Sequence, residues 1–345
     1  MFLEDYWYIA AFRREIGDKP IRRILLGKPV VMYRAPDGGA VVLEDRCVHR
    51  NVPLSLGTLL PGGQLQCRYH GLRYDQTGAC VHIPEQTRVP ADARVKRYPA
   101  VERAEWVWVW MGAPDTADPA TIPPYRWFVQ PGWRSRIGYL HVNCSYRLIV
   151  DNLLNMAHLP FVHGGTIGSE GVVKDAKVSV QRDGERVRLA RRMYDIEPPP
   201  TYKQARGFEG KVSRWQIIDF AAPGYFEFDT GLIDAGHEIP DISPDRPLPS
   251  NARILSRHAM HGVAPESAAS THYYFGFTYD PADHTEQMAD FLFDGMLKTF
   301  IEDVEVLEAQ QANMALTPGA HVIDIVSDTA GLQATRIIDE IERRN

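Results

Sequence analysis

Two short pairs of cysteine and histidine residues give the clearest chemical signal in the sequence. Cys47 and His49 are separated by one residue, Cys67 and His70 by two, and 17 residues lie between the pairs. Zinc fingers usually place both cysteines before both histidines, and zinc ribbons use two cysteines in each pair. Pairs that each mix a thiol with an imidazole instead fit an iron–sulfur cluster in which one iron binds two cysteines and the other binds two histidines.

The residues around both pairs predict the loops that such a cluster requires. Val41–Leu43 and Gln64–Gln66 predict short strands before the first and second pair. Pro61–Gly63 and Asp75–Gly78 predict turns that bring the two loops together. The arrangement favours a Rieske [2Fe–2S] centre, whose imidazole ligands raise the reduction potential of a one-electron carrier. The alternative is a set of ordinary buried cysteines and hydrogen-bonded histidines.

A second candidate metal site lies in the segment Asp151–His163. The segment predicts a helix that ends or distorts near His158, because Pro160 disfavours helical geometry at Leu159. Residues five apart diverge by about 140° in an undistorted helix, so His158 and His163 converge only if the chain breaks between them. Two convergent histidines suit a divalent first-row metal, and a carboxylate would complete the facial triad of a non-haem Fe(II) oxygenase. The alternative is a pair of structural, hydrogen-bonded imidazoles.

The missing carboxylate is predicted on a long helix over residues 287–313, where apolar residues recur at spacings of three and four. Asp303 lies at the edge of this apolar stripe, whereas Glu302 and Glu305 are predicted to point away from it. A buried carboxylate is costly unless it is paired or ligated. Asp303 is therefore the third candidate ligand, with a hydrogen-bonded boundary residue as the alternative.

The composition predicts a globular enzyme rather than a binder of nucleic acid or membranes. The chain has 345 residues, is 44% hydrophobic and 24% charged, and carries a net charge of −6, which argues against a basic binding surface. No apolar run approaches the ~20 residues of a membrane-spanning helix. The N-terminus lacks the pattern of a secretory signal, and four cysteines are too few for a disulfide scaffold. We therefore expect a cytoplasmic protein.

The helices and strands predicted from the sequence indicate an α+β chain of two domains. Residues 1–115 are predicted to form an all-β domain that holds the cluster, and residues 116–345 a catalytic domain. Strand-like stretches at 186–190 and 272–277 predict an antiparallel sheet covered by the long C-terminal helix. Glycine- and proline-rich stretches at residues 195–203 and 238–250 predict mobile loops over a pocket.

Taken together, the chain resembles the oxygenase component of Rieske non-haem iron oxygenases, in particular the branch of vanillate and dicamba O-demethylases and toluenesulfonate methyl-monooxygenase. The resemblance spans nearly the whole chain, including Tyr6–Ala10, Cys47–Pro84, Asp151–His163 and Ile301–Glu308. It implies a helix-grip, START-like fold for the C-terminal domain. It also implies that the [2Fe–2S] cluster and the mononuclear iron have separate ligand sets, which are Cys47, His49, Cys67 and His70 for the cluster and His158, His163 and Asp303 for the iron.

The resemblance implies an oxygenase that uses O₂ and acts on a small aromatic substrate. No dinucleotide-binding motif is present, so electrons from NAD(P)H would come through a separate reductase, with or without a ferredoxin. The expected reaction is oxidative O- or N-demethylation that releases formaldehyde, and hydroxylation of an aryl methyl group or aromatic ring is the second possibility. A non-catalytic Rieske electron carrier fused to a ligand-binding module is the alternative of another class. The expected assembly is a homotrimer.

Three further side chains are expected near the iron. The family usually has an aspartate at the position of Asn155, where it links a cluster histidine of one subunit to an iron-ligand histidine of the next. Asn155 can donate and accept hydrogen bonds, but it carries no charge. Asn152 is expected close to the iron, and His261 matches a substrate-contacting histidine of the dicamba-type enzymes. A buried structural histidine is the alternative for His261.

Overall fold

The computed structural model describes residues 2–169, 171, 176–240 and 251–344. Most of the predicted loop at 238–250 lies outside these residues. The chain forms two compact units, Phe2–Pro123 with Ala264–Ser267 and Pro124–Val263 with Ala268–Asn345. The predicted domain boundary between residues 115 and 116 remains a prediction. No helix in the described ranges is both long and apolar enough to cross a bilayer.

The N-terminal unit is built from three small antiparallel sheets with strand orders β1-β11-β10, β2-β3-β4-β9 and β5-β6-β7-β8. The predicted strands at 41–43 and 64–66 are confirmed as β4 and β6. The strands are β1 Trp7–Phe12, β2 Ile21–Leu25, β3 Lys28–Arg34, β4 Ala40–Glu44, β5 Thr58–Leu59, β6 Leu65–Gln66, β7 Arg73–Tyr74, β8 Cys80–His82, β9 Arg97–Tyr98, β10 Ala100–Arg103 and β11 Trp106–Trp110.

Two apolar cores lie on opposite faces of the sheet that contains β3. Val30 and Met32 pack into one core, and Val31 and Tyr33 pack into the other, as expected because successive side chains of a strand alternate between faces. The second core also contains Cys47 and Cys67, together with the residues around them. The packing of this core therefore fixes the bases of both cysteine loops.

The C-terminal unit contains a seven-stranded antiparallel sheet in the order β12-β18-β17-β16-β15-β14-β13. Its strands are β12 Arg134–Val142, β13 Lys177–Asp183, β14 Arg186–Ile196, β15 Val212–Ala221, β16 Tyr225–Asp234, β17 Ile254–Ser267 and β18 Ser270–Tyr279. Its helices are α1 Tyr146–Leu154, α2 Leu159–Val162, α3 Pro200–Arg206, α4 Glu286–Leu316 and α5 Thr329–Arg344. The predicted α+β class is confirmed.

Helix α4 is the predicted long helix, and its buried stripe faces the sheet. Thr285 caps its N-terminus, since the Thr285 hydroxyl accepts a hydrogen bond from the Met288 N–H. The buried positions recur at helical spacing, and the ring of Phe300 contacts the rings of Tyr273 and Phe275 on β18. Asp303 belongs to this stripe and is only 8% exposed. Burial thus places a carboxylate on the side of α4 that faces the interior.

Candidate functional site

The two Cys/His loops of the N-terminal unit have the same backbone hydrogen bonds. The Cys47 N–H donates to the carbonyl of Val52, and the Asn51 N–H donates back to the carbonyl of Cys47. Cys67 repeats both bonds with residues at the same offsets, Leu72 and Gly71. The residue four positions after each cysteine has a positive φ, 56° at Asn51 and 74° at Gly71. Asparagine and glycine tolerate this conformation best.

The cysteines of these loops are buried, whereas the histidines are exposed. Cys47 and Cys67 are 2% and 1% exposed, and burial raises the pKa of the Cys67 thiol, which Cys47 raises further. The rings of His49 and His70 lie side by side, with 4.6 Å between their centroids. Two neighbouring thiols and two neighbouring imidazoles form a donor set that fits a [2Fe–2S] group in which one iron binds cysteines and the other binds histidines.

A tyrosine contacts the first thiol of this set. The Tyr74 hydroxyl lies 3.2 Å from Cys47 Sγ and accepts a hydrogen bond from the Val48 N–H at 3.1 Å. Because the Val48 N–H occupies the oxygen as an acceptor, the phenolic hydrogen is available to donate to the sulfur. Hydrogen bonds to cluster sulfurs tune the reduction potential, and the Tyr74 hydroxyl is in position to do so for a cluster held by Cys47.

In the C-terminal unit, the helix that carries the candidate iron ligands breaks at Asn155, earlier than predicted. Helix α1 ends at Leu154, and Asn155 has φ −116° and ψ 96° before a single 3-10 turn, Met156–His158. The prediction of a break near His158 is wrong, because Leu159 is helical and begins α2. Pro160 lies in the first turn of α2, where its missing N–H is not needed.

The fold brings together His158, His163 and Asp303. Their ligand atoms all lie within 4.8 Å of one another. Asp303 Oδ1 is 3.1 Å from His163 Nε2 and 3.4 Å from His158 Nε2. Two imidazole nitrogens and one carboxylate oxygen that face a common point are the donor set of a facial triad for Fe(II). The sequence therefore located three residues that the fold does place side by side.

The remaining nitrogen of each imidazole is hydrogen-bonded on the side away from Asp303. His158 Nδ1 lies 2.6 Å from the carbonyl of Asn155, and His163 Nδ1 lies 2.8 Å from Glu302 Oε2. Both acceptors place the ring proton on Nδ1 and leave the lone pair of Nε2 directed at the common point. The prediction that Glu302 points away from this region is wrong, because its long side chain reaches the back of His163.

The two histidines differ in their electrostatic surroundings. Burial lowers the pKa of His158, and Asp303 only partly opposes this effect. Burial also lowers the pKa of His163, but hydrogen bonds to the carboxylates of Asp303 and Glu302 outweigh it and raise the pKa overall. The extra carboxylate of Glu302 therefore makes His163 the more basic of the two imidazoles, which strengthens its attraction for a metal cation as well as for a proton.

The two predicted asparagines take different roles. The Asn152 Nδ2 donates to Asp303 Oδ1 at 3.0 Å, so Asn152 does lie beside the candidate ligands. The Asn155 side chain accepts from the Ala157 N–H at 3.0 Å and donates to Asp328 Oδ1 at 2.7 Å. Asn155 therefore caps the 3-10 turn and contacts His158 through its backbone carbonyl.

A pocket opens over the three candidate iron ligands, and most of its accessible lining is apolar. His261 is part of its wall, is 2% exposed and hydrogen-bonds through Nδ1 to the Tyr273 hydroxyl at 2.7 Å. Burial, with a smaller effect of Arg257, lowers the pKa of His261 to about 3, so this imidazole is neutral. The wall consists of Asn152, Leu153, Met156, His158, Leu159, His163, Ile167, Tyr202, Arg214, Gln216, Phe228, Thr230, Arg257, Ala259, His261, Phe277, Met296, Thr299, Phe300 and Asp303.

Sequence reasoning missed Glu302, Arg214 and Arg257. The alternation of β15 could have placed Arg214 and Gln216 on one face of the sheet. Nothing local to either strand, however, indicates that this face lines a pocket, because arginines at alternate positions usually mark a face exposed to solvent.

Comparison with protein families assigns both units. Residues 6–99 match the Rieske [2Fe-2S] domain, and residues 142–344 match the vanillate O-demethylase oxygenase C-terminal domain. The first match covers both Cys/His loops, and the second covers the three candidate iron ligands and the whole pocket wall.

Individual relatives match over almost the full length. The toluene-4-sulfonate monooxygenase system iron-sulfur subunit of Comamonas testosteroni is 34% identical over 99% of this chain and 97% of its own. The vanillate O-demethylase oxygenase subunit of a Pseudomonas species is 34% identical, with coverage of 99% and 95%. The crystal structure of dicamba monooxygenase bound to dicamba matches with a TM-score of 0.88 and 30% identity, over 99% of this chain and 98% of that one.

Proposed function

The chain belongs to the Rieske non-haem iron oxygenases of the vanillate O-demethylase type, and from this membership we propose how its residues serve the reaction. It is the oxygenase component of a multicomponent monooxygenase that needs a reductase partner and has a Rieske [2Fe–2S] cluster and a mononuclear iron. We propose that the reaction is oxidative O- or N-demethylation of a small aromatic compound with release of formaldehyde, which the names of the vanillate and dicamba O-demethylase relatives support.

We propose that the ligands of the two metal groups are those given by the sequence. Cys47, His49, Cys67 and His70 would hold the cluster, and His158, His163 and Asp303 the mononuclear iron. When bound, these groups supply one-electron transfer and the activation of O₂. The chain's own contribution at the iron is to hold the Nδ1 proton of each imidazole against Asn155 or Glu302, which directs both Nε2 atoms inward.

The pocket residues orient the substrate and exclude water. Phe300 and His261 line the pocket beside the candidate iron ligands and pack on each other and on Tyr273 behind them. Asn152 holds Asp303 Oδ1, which limits the rotation of the carboxylate. A rigid, dry wall favours oxidation of the carbon atom that is held next to the iron and disfavours release of partly reduced oxygen.

The overall reaction balances with two electrons and two protons from NAD(P)H and solvent. One oxygen atom of O₂ enters a C–H bond of the methyl group, and the other leaves as water. The hydroxymethyl ether or amine then loses its bond between the heteroatom and carbon, which yields the phenol or amine and formaldehyde. Hydroxylation of an aryl methyl group or ring would consume the same O₂ and NAD(P)H without formaldehyde.

The observation that carries the proposal is the convergence of His158, His163 and Asp303 at one wall of an apolar pocket. The test combines iron analysis with turnover of methoxy- and N-methyl-arenes in the presence of a matched reductase, following NADH and formaldehyde together. We expect about three irons per chain from one two-iron cluster and one mononuclear iron. We also expect His158→Ala to lose turnover and one iron but to keep the cluster spectrum.

The exposed His321 lies outside both sites and provides the matched control. His321→Ala should keep the iron content and turnover of the unmodified chain. Two irons per chain in the unmodified protein, with no turnover and no loss of iron in His158→Ala, would instead support a non-catalytic electron carrier with a ligand-binding module.

We further propose that the protein is a cytoplasmic homotrimer in which Asn155 contributes to electron transfer between metal centres. Sedimentation equilibrium of the holoprotein tests the trimer, and cell fractionation tests the location. Asn155→Ala tests the residue, since it removes both side-chain hydrogen bonds but keeps the carbonyl that holds His158. Slower single-turnover oxidation of the cluster at unchanged iron content would support a role in electron transfer.

A further inference from the structure

Met156 and Met296, two of the nine methionines of the chain, line the pocket that contains the candidate iron ligands. Met156 lies in the same 3-10 turn as His158, Met156–His158, and its residue surface is 8% exposed. Its thioether is therefore part of the wall that also carries a candidate ligand. Oxidants convert methionine, an apolar side chain, into a polar sulfoxide, so the chemistry of this wall can reach Met156.

A hydrogen bond holds the sulfur of Met156 at the pocket wall. Gln216 Nε2 donates to Met156 Sδ at 3.8 Å, and Gln216 Oε1 accepts from Arg191 Nη1 at 3.3 Å. Because a guanidinium group only donates, the oxygen of Gln216 must face Arg191 and its amide N–H groups must face the sulfur. Gln216 itself lines the pocket. The position of the sulfur is thus fixed by a polar neighbour in the same wall.

The surroundings of Met156 favour a sulfoxide over the thioether. Sulfur is only a weak acceptor, whereas a sulfoxide oxygen is polar and gains more from the same amide donor. Gln216 therefore stabilises the oxidised side chain more than the reduced one. Most of the accessible lining of the pocket is apolar, so a new polar oxygen at Met156 would weaken the binding of an apolar ring.

An oxidant for Met156 forms whenever O₂ is reduced without oxidation of a substrate. NAD(P)H, one proton and O₂ then give NAD(P)⁺ and hydrogen peroxide. A lone pair of Met156 Sδ attacks one peroxide oxygen, the O–O bond breaks, and hydroxide leaves. The proton on the attacked oxygen passes to the hydroxide, so the products are the sulfoxide and water. The sulfur loses two electrons, which the peroxide gains.

We propose that Met156 is a site of oxidative modification by the protein's own reaction, because peroxide formed beside the candidate iron ligands meets this sulfur before it reaches solvent. The inference rests on the proposed function for the source of the peroxide. Reaction between neighbours inside one pocket is effectively unimolecular, so burial does not protect Met156 as it protects methionines of the core. Unproductive turnover would thereby inactivate the chain that carries it out.

Mass spectrometry of the iron-replete protein tests the site without knowledge of the substrate. The protein is incubated in air with a matched reductase and NADH, both alone and with (trifluoromethoxy)benzene, whose methyl carbon has no C–H bond to oxidise. Catalase removes any peroxide that reaches the solvent, and the gain of one oxygen atom is measured at each methionine.

The expected pattern separates peroxide in the pocket from peroxide in solvent. Met156 should be modified about tenfold or more faster than Met314, whose 51% exposure makes it the reporter for peroxide in solvent. Met260 is 0% exposed and is absent from the described wall of the pocket, so it should stay unmodified. Met296 should be modified more slowly than Met156, because no donor contacts its sulfur within the described ranges.

Two controls distinguish local peroxide from intrinsic reactivity. Hydrogen peroxide added to the unmodified protein, without NADH or catalase, should modify the exposed Met314 ahead of Met156. Asp303→Ala, with reductase, NADH and catalase, should reduce modification of Met156 to the level of Met260 and keep the cluster spectrum. Glu305→Ala, two residues later and exposed, is the matched control and should leave modification of Met156 as in the unmodified protein.

Several outcomes overturn the modification, and most need no variant to fold. Modification of Met314 or Met296 ahead of Met156 during NADH oxidation refutes it, and so does a preference for Met156 with added peroxide. Formation of peroxide or formaldehyde while Met156 stays intact refutes the modification alone and leaves the proposed function standing. No NADH-dependent uptake of O₂, here or with the methoxy- and N-methyl-arenes, refutes the proposed function and the modification with it.

Discussion

Replacing Glu302 with glutamine should weaken iron binding while the shape of the site is kept. The Glu302 carboxylate lies 2.8 Å from His163 Nδ1, and this nitrogen must donate because an ionised carboxylate only accepts hydrogen bonds. Glutamine has the same length and can still accept the hydrogen bond through its carbonyl oxygen. The substitution therefore removes the negative charge behind the imidazole and little else.

The magnitude follows from the type of hydrogen bond and its exposure. A hydrogen bond to a charged group contributes about 1.5–3 kcal/mol, which corresponds to ~10- to 150-fold in affinity. Loss of such a partner behind a ligating histidine typically costs about 10- to 100-fold in metal affinity or activity. The Glu302 side chain is 27% exposed, so solvent screens part of the effect, and we expect about 10- to 30-fold.

The assay is competition for ferrous iron against a chelator of known affinity, with the cluster spectrum recorded on the same sample. Glu305→Gln is the matched control, because Glu305 is exposed on the same helix, and it should bind iron as the unmodified protein does. Equal iron affinity in the two variants would refute the assignment of Glu302 as the residue that positions His163. Loss of the cluster spectrum in Glu302→Gln would refute the separation of the two sites.

Three other substitutions test separate parts of the structure. Tyr74→Phe removes the hydroxyl 3.2 Å from Cys47 Sγ and should lower the midpoint potential of the cluster in a redox titration, since that hydrogen bond favours the reduced, more negative state; an unchanged potential contradicts this. Gly231→Ala would place a Cβ 2.1 Å from an atom of the Trp215 indole within the sheet. It should lower the melting temperature, because overpacking costs about 1–3 kcal/mol. A melting temperature equal to that of the unmodified protein argues against this packing. Arg136, with two further partners, lowers the pKa of Glu286 to about 2 from 4.5, so Glu286 stabilises the fold above pH 4.5 and loses this effect as the pH falls towards 2. The difference in melting temperature between Glu286→Gln and the unmodified protein should shrink over that interval, and a constant difference would contradict the pairing.

The parts of the site that could be predicted are those with a local signal. The cysteine loops follow from short motifs flanked by strand and turn residues, and the structure shows the loops at Cys47 and Cys67 with identical hydrogen bonds. Asp303 follows from the period of a single long helix, because that period alone decides which side is buried. The ligand assignments themselves remain predictions that iron analysis of the variants will test.

The parts that could not be predicted depend on contacts between distant segments. Glu302 and His163 are 139 positions apart, and helical geometry gives the direction of the Glu302 Cβ but not the reach of its side chain. The break at Asn155 was predicted too late, because the restraint imposed by Pro160 on its predecessor is weaker than the advantage of placing proline at a helix start. The position of Arg214 and Arg257 in the pocket wall could not be predicted, because nothing in the sequence shows that the sheet face that they share lines a pocket.

The convergence of His163 and Asp303 also has a consequence for unfolding. The two residues are 140 positions apart, so any ion that binds both ties the ends of a very long loop. Such a tie lowers the entropy of the unfolded chain, by ~4–5 kcal/mol at 25 °C for a permanent link that closes about 100 residues. Bound iron would thus stabilise the fold of this half of the chain in addition to serving the reaction. Its removal by a chelator would lower the stability of the sheet and of the long helix together.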